Sequence, residues 1–177
     1  MECPVIDIFI EGTEETEKYV LLHGHLDSWH EGIGDNATGN AALLEMARIF
    51  YKHRDKLKRS VRIAVWTGHS TGRYAGSSWF VDQFGLDLDK NCIAQVNCDS
   101  PGCRWATSYE YMMWMSEVDE FCTDVITDAV NLPSKGSRPL RAGDYSFNNI
   151  GITSFFMLSS SIPEDLLKEK GYYPVGG

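Results

Sequence analysis

Two short stretches carry residue types that do chemistry. The first is LLHGHLDSWHEGIGDNATG, where His25 and Asp27 flank one leucine at the end of an apolar run and Asp35 follows among glycines. The second is GHSTG, Gly68 to Gly72, which reads as Gly-x-Ser-x-Gly between the apolar run IAVW and a predicted helix. A further carboxylate, Asp99, closes the run CIAQVNCDS. A serine on a strand-to-helix turn is the nucleophile of many hydrolases, but in that fold its histidine base follows it in the chain. The histidines are His23, His25, His30, His53 and His69, and none follows Ser70. Metal chemistry meets no such obstacle. His25 offers a ligand, Asp27 can fix its tautomer, and Asp35 and Asp99 supply anionic oxygens, a donor set suited to zinc with an open position. Taken singly, a strand-end histidine is more often hydrogen-bonded scaffold and a loop aspartate more often a helix cap. Their convergence on one sheet edge favours a metal.

The elements that must position these residues are legible from periodicity. PVIDIFIEG alternates and reads as a strand over Pro4 to Gly12, and TEETEK reads as an acidic turn. YVLLHGH, Tyr19 to His25, is a nearly continuous apolar run of the kind that is buried on both faces. After the loop DSWHEGIGDNATG, Asn36 or Thr38 is placed to cap a helix to about His53, with Leu43, Met46, Ala47 and Phe50 on one face. Val61 to Thr67 is a second buried strand, followed by GHSTGRYAGS and a helix through Phe84. Cys92 to Asn97 reads as a strand, Ser116 to Asn131 as a helix, YSFNNIG as a short helix and Ile152 to Leu158 as a last buried strand. Alternating strands and helices predict an α/β layered fold with a largely parallel sheet. In such folds functional groups collect at the carboxyl ends of strands. That rule brings His25 and Asp27, His69 and Ser70, and Asp99 to one edge, with Asp35 just before the first long helix.

Composition narrows the partners. The 177 residues suit one domain with a sizeable core, and 43% hydrophobic with 23% charged residues is ordinary for a globular protein. A formal charge of −9 argues against a nucleic-acid partner. No apolar run is long enough to span a bilayer and no signal peptide is visible, which leans the expected location towards the cytoplasm. Cys98 and Cys103 can approach each other, but the odd, irregular set of five cysteines reads as free thiols in a reducing compartment.

LLHGHLDSWHEGIGDNATGNAALLEMARIF resembles the signature of co-catalytic zinc exopeptidases, the bacterial leucyl aminopeptidase and glutamate carboxypeptidase family. The resemblance runs from about residue 5 to 158. It implies a three-layer αβα fold around a mixed, largely parallel sheet, and a peptidase that hydrolyses peptide bonds with metal-activated water. It also implies roles: His25 as a terminal zinc ligand, Asp27 as the residue orienting it, Asp35 as the aspartate that bridges two zinc ions, and Asp99 as the carboxylate completing the site of His25. RAGDYSFNNIGI resembles the family's segment near the substrate pocket, which puts Asp144 in the pocket wall or its scaffold. Tyr74 is a further candidate for the pocket, with Trp29, Trp105 and Tyr109.

Two departures from the family pattern stand out. GHSTGRYAGS replaces the family's Glu-Glu pair, so His69 falls at the general base and Ser70 at a ligand, or, with a one-residue slip, His69 is itself a ligand. The family's C-terminal histidine has no counterpart after His69. These departures imply one intact zinc site, a doubtful second one, and a peptidase-like domain that is incomplete at both ends. Glu31 is a substitute candidate for the base. The alternative is a catalytically impaired peptidase-like module that binds peptide or a protein partner.

Overall fold

Strand β2 (Glu15–His25) is the middle of a five-stranded sheet and the element on which the rest is assembled. The computed structural model describes residues 3–102, 104–109, 112–132, 134–158 and 161–172. The sheet order is β1-β3-β2-β4-β5, with β1 at Ile6–Ile10, β3 at Arg59–Trp66, β4 at Cys92–Cys98 and β5 at Ser154–Leu158. Strand β1 runs antiparallel to β3, and the remaining pairs are parallel. The register sets His25 opposite Trp66 and His23 opposite Asn97. The carboxyl ends of β2, β3 and β4 are therefore level, and the residues that follow them meet at one edge.

Side chains alternate between the faces of a strand, and the two faces of β2 are covered by different helices. On one face Leu22, Val61, Ile63 and Val65 meet Leu43, Met46, Ala47 and Phe50 of α1 (Gly39–Lys52). On the other, Tyr19, Leu21, Ala64 and Trp66 meet Phe80 and Leu88 of α2 (Ala75–Asn91) and Phe147 of α4 (Asp144–Asn148). This is the expected three-layer arrangement. A third cluster joins Met112 and Trp114 to Cys122 and Ile126 of α3 (Asp119–Val130), with Phe155 of β5 packed on it. A short helix α5 (Glu164–Lys170), which no periodicity announces, follows β5. Among the described residues no helix is long and apolar enough to cross a membrane.

The structure departs from the sequence reading in three places. TEETEK is not a turn: β2 begins at Glu15, which pairs with Arg59 before the ladder shifts ahead of Tyr19. An exposed, charged strand start shows no apolar alternation, and the Arg59–Glu15 ion pair at 2.6 Å is a partner no local pattern reveals. Helix α2 runs past Phe84 to Asn91, because Leu88 carries its buried face one further turn. Neither Asn36 nor Thr38 caps α1 with its side chain. The Thr38 hydroxyl donates back to the Gly34 carbonyl, and the Asn36 amide is engaged elsewhere.

The lower half of the sheet is held by one buried cation. Arg62 of β3 donates to both Asp7 oxygens at 3.0 and 2.7 Å and to Asp87 at 3.2 Å. Its guanidinium lies 4.3 Å from the Phe84 ring centroid and 4.8 Å from that of Phe80. Breaking a buried ion pair costs several kcal/mol, but the side chains of Asp7 and Asp87 are 33% and 43% exposed and can rehydrate. Arg62→Ala is therefore expected to lower stability by about 2 kcal/mol in urea unfolding, short of the ~3–5 kcal/mol for a fully buried pair.

Candidate metal centre

His25, at the end of β2, is the centre of the strand-end cluster and is almost fully buried. Its Nδ1 lies 2.7 Å from the backbone carbonyl of Asp27. A carbonyl can only accept, so Nδ1 carries the proton and Nε2 of the neutral ring presents a lone pair. That lone pair faces two carboxylates, Asp35 Oδ1 at 2.7 Å and Asp99 Oδ1 at 3.5 Å. Burial opposes a charge on this ring, but the contact and charge of Asp99, then the charge of Asp35, outweigh it and raise the His25 pKa.

The partners arrive from separate elements. Asp35 lies in a helical turn, Ile33–Thr38, that is broken by non-helical dihedrals at Asp35 and Asn36 and carries a cis peptide between them. Burial, then the charge of Asp99, raise the Asp35 pKa. Asp99 follows β4. Burial pushes its carboxyl up, yet contact with His25, the charges of His25 and His69, and the Ser100 hydroxyl hold it below the usual range. His69 stands in the GHSTG turn after β3. Its ring stacks on that of His25, 4.0 Å between centroids and 6° from parallel, with Nε2 3.8 Å from Asp99 Oδ2. Burial and then the charge of His25 lower its pKa to about 4, so it is neutral at physiological pH.

Donor atoms of His25, His69 and Asp99 thus lie within 4.8 Å of one another. Asp35 adds an oxygen on the His25 side. The group brought together therefore contains His69 alongside His25, Asp35 and Asp99.

Two other residues hold the cluster in place. The Asp27 carboxylate accepts the backbone N–H groups of His69 at 3.0 Å and Ser70 at 2.8 Å, tying the end of β2 to the GHSTG turn. Burial would raise its pKa, but these N–H groups lower it on balance. Asp27 thus meets His25 through its backbone carbonyl, while its carboxylate is 3.8 Å from the ring. Asn36, read from the sequence as a helix cap, instead joins strand ends. It donates to the Cys98 carbonyl at 2.8 Å and accepts the Ser100 N–H at 3.1 Å. Asn40 donates to the His25 carbonyl at 3.0 Å.

Several sequence candidates fall outside this group. Ser70 is buried, and among the described residues no hydrogen bond links it to a histidine, so the serine hydrolase reading has no base. Glu31 is exposed and makes no hydrogen bond or ion pair among the described residues. Trp29 is exposed, Trp105 stacks with Arg104 and Lys170, and Tyr109 packs on the third core cluster. The Tyr74 hydroxyl donates to the Arg141 carbonyl at 2.9 Å. Asp144 is the first residue of α4, and its side chain lies outside the described residues, as does Cys103. The backbone before it borders the cluster, since a Cβ at Gly143 would lie 3.6 Å from His69 Nδ1. Cys98 is a buried free thiol.

Whether these residues suit a metal ion is tested by their unmet valences. His25 Nε2 and Asp35 Oδ1 are buried and make no hydrogen bond, although they are only 2.7 Å apart. Buried polar atoms without partners are costly and rare. Two such atoms in contact, beside a second carboxylate and a neutral imidazole, fit a divalent cation. Mixed imidazole and carboxylate donors suit zinc.

Residues 7–153 match the sequence profile of Peptidase family M28. A probable glutamate carboxypeptidase of Zea mays is 37% identical over 98 residues, covering 52% of this chain and 14% of that protein. An aminopeptidase of Mus musculus is 33% identical over 94 residues, covering 51% of this chain and 12% of that protein. Among solved structures, a zinc aminopeptidase from Bacillus subtilis aligns with a TM-score of 0.70 at 20% identity, over 90% of this chain and 40% of its own. A glutaminyl cyclase from an Acidobacteriales bacterium aligns with a TM-score of 0.63 at 13% identity, over 84% of this chain and 55% of its own. These structural likenesses concern the fold. The matched stretches span about one seventh to one eighth of the length of these curated relatives.

The junction around Asn36 makes a direct prediction. A Cβ at Gly39 would clash with Asn36 Oδ1 and the Cys98 carbonyl, whereas one at Gly85 of α2 meets nothing within 4 Å. Gly39→Ala is expected to cost about 1–3 kcal/mol by overpacking. Gly85→Ala is expected to gain up to about 1 kcal/mol from helix propensity. Thermal or urea unfolding of both variants checks the contrast.

Proposed function

The chain belongs to Peptidase family M28, and from that premise we propose that it carries the metal site of a zinc-dependent exopeptidase hydrolysing peptide bonds with water. The observation that supports this most is the buried His25 Nε2 and Asp35 Oδ1, 2.7 Å apart and without a hydrogen bond, set beside Asp99 and His69. In this reading His25, Asp99 and Asp35 hold one zinc ion and His69 completes its shell. When bound, zinc would polarise a scissile carbonyl and lower the pKa of water towards about 7. The Asp27 carbonyl keeps His25 in the tautomer whose Nε2 faces the ion, and the Asp27 carboxylate holds the turn bearing His69. Peptides are the proposed substrates, with the 141–144 segment and Tyr74 bordering their pocket.

A second reading has its own supporting observation. A general base works best with a pKa near the operating pH, and His69 is held at about 4. The Asp27 carboxylate is already taken by backbone N–H groups, and Glu31 stands free of the cluster. A chain that binds zinc and peptide without cleaving it is the corresponding alternative.

Calorimetric titration of chelator-treated protein with zinc, followed by assay on dipeptides and amino-acid arylamides, separates the readings. One tightly bound zinc per chain is expected, weakened at least about tenfold by His25→Ala, as for loss of a ligand or its support. Hydrolysis dependent on that zinc supports the peptidase. Zinc and peptide binding without hydrolysis supports the binding module, and unchanged zinc affinity in His25→Ala removes both.

A further inference from the structure

His25 and His69 are held by different means. His25 is fixed by a hydrogen bond from Nδ1 to a backbone carbonyl, the usual device for a metal-binding imidazole. Among the described residues neither ring nitrogen of His69 makes a hydrogen bond. Burial alone does not orient a ring that can turn about its own side-chain bonds. Something else must hold its plane within 6° of that of His25.

Tyr74 is the group in position to do so. Its ring meets the His69 ring edge-on, centroids 4.9 Å apart and planes 78° apart, while His25 covers a face of the same imidazole. Tyr74 is fixed at both ends. Its N–H donates to the His69 carbonyl at 3.1 Å, and its hydroxyl donates to the Arg141 carbonyl at 2.9 Å. That second bond draws in the segment whose Gly143 borders His69 Nδ1. The backbone at Tyr74 is in the left-handed region, φ 72°, and follows Arg73 at φ 50°. A bulky residue adopts that conformation only when its surroundings over-determine it, and such outliers gather at functional sites. Neither the Gly-x-Ser-x-Gly pattern nor helix capping accounts for a tyrosine at this position.

We infer that Tyr74 is a positioning residue: its ring edge sets the His69 imidazole parallel to His25 and so completes the metal-binding arrangement. The inference rests on the metal reading for its consequence, but the orientation of His69 is a property of the metal-free chain. Tyr74 takes the place that a carbonyl takes for His25, with packing in place of a hydrogen bond.

The test uses Tyr74→Phe, Tyr74→Leu and Tyr74→Ala, all of which keep a Cβ and hence the backbone cost at this position. Zinc affinity is measured by calorimetry, and the imidazole resonances of His69 are followed by NMR in zinc-free protein. Loss of an outer support costs about 10–100-fold in metal affinity, so Tyr74→Leu and Tyr74→Ala should weaken zinc by about tenfold or more. Tyr74→Phe keeps the ring edge and is expected to stay within about threefold of wild type. In the zinc-free chain the nuclear Overhauser contacts between the His69 and His25 ring protons should weaken in the Leu variant and hold in the Phe variant. If Tyr74→Ala does not fold, the Leu and Phe pair decides. Zinc affinity and these ring contacts unchanged in Tyr74→Leu would overturn the inference. If His25→Ala leaves zinc binding untouched, the metal reading falls, and the ring contacts of the zinc-free Tyr74 variants still decide the role of Tyr74.

Discussion

Two carboxylates and two imidazoles crowd one largely buried corner, and the structure around them is organised to tolerate that. Charges taken out of water are costly unless paired and hydrogen-bonded. Asp35 and Asp99 each add negative charge to the other's surroundings, and both act on His25. A cation between them would relieve the conflict, and the two carboxylates draw the imidazole of His25 towards the charged form. The surrounding polar groups hold this arrangement. The Asp27 carboxylate spans from β2 to the GHSTG turn, and the Asn36 amide spans from the broken turn to the end of β4. Level strand ends provide the frame, and these two side chains fix the angles.

The place of His69 follows from the same electrostatics. A carboxylate at its position would add a further anion to a corner already holding two. A neutral imidazole stacked on His25 adds a donor without adding charge, since burial keeps it unprotonated. By sequence His69 fits either a general base or a ligand. A low pKa and an Nε2 turned towards Asp99 support the ligand role in the proposed site, and they move the doubt about catalysis to the source of a base.

Much of this is legible in the sequence. The buried runs at Tyr19 to His25, Val61 to Thr67 and Cys92 to Asn97 are continuous because both faces of those strands are covered, so the parallel core and its helices could be read from pattern. The strand-end rule then brought His25, His69 and Asp99 to one edge. What escaped depends on long-range contact. Glu15 begins a strand because Arg59 lies opposite it. Asn36 reads locally as a cap, and only the fold brings the Cys98 carbonyl and the Ser100 N–H within reach of its amide. Asp27 next to His25 suggested a carboxylate–imidazole pair, yet the backbone carbonyl of the same residue is nearer.

The central claim is that the corner formed by His25, His69, Asp99 and Asp35 is a zinc site. X-ray absorption spectroscopy of the zinc-loaded chain tests it most directly, because it reports the donor atoms around the ion. The account predicts a shell of imidazole nitrogens and carboxylate or water oxygens at about 2.0–2.2 Å, with no sulfur. A shell containing sulfur at about 2.3 Å, or one with no imidazole scattering, would place the ion elsewhere and contradict it.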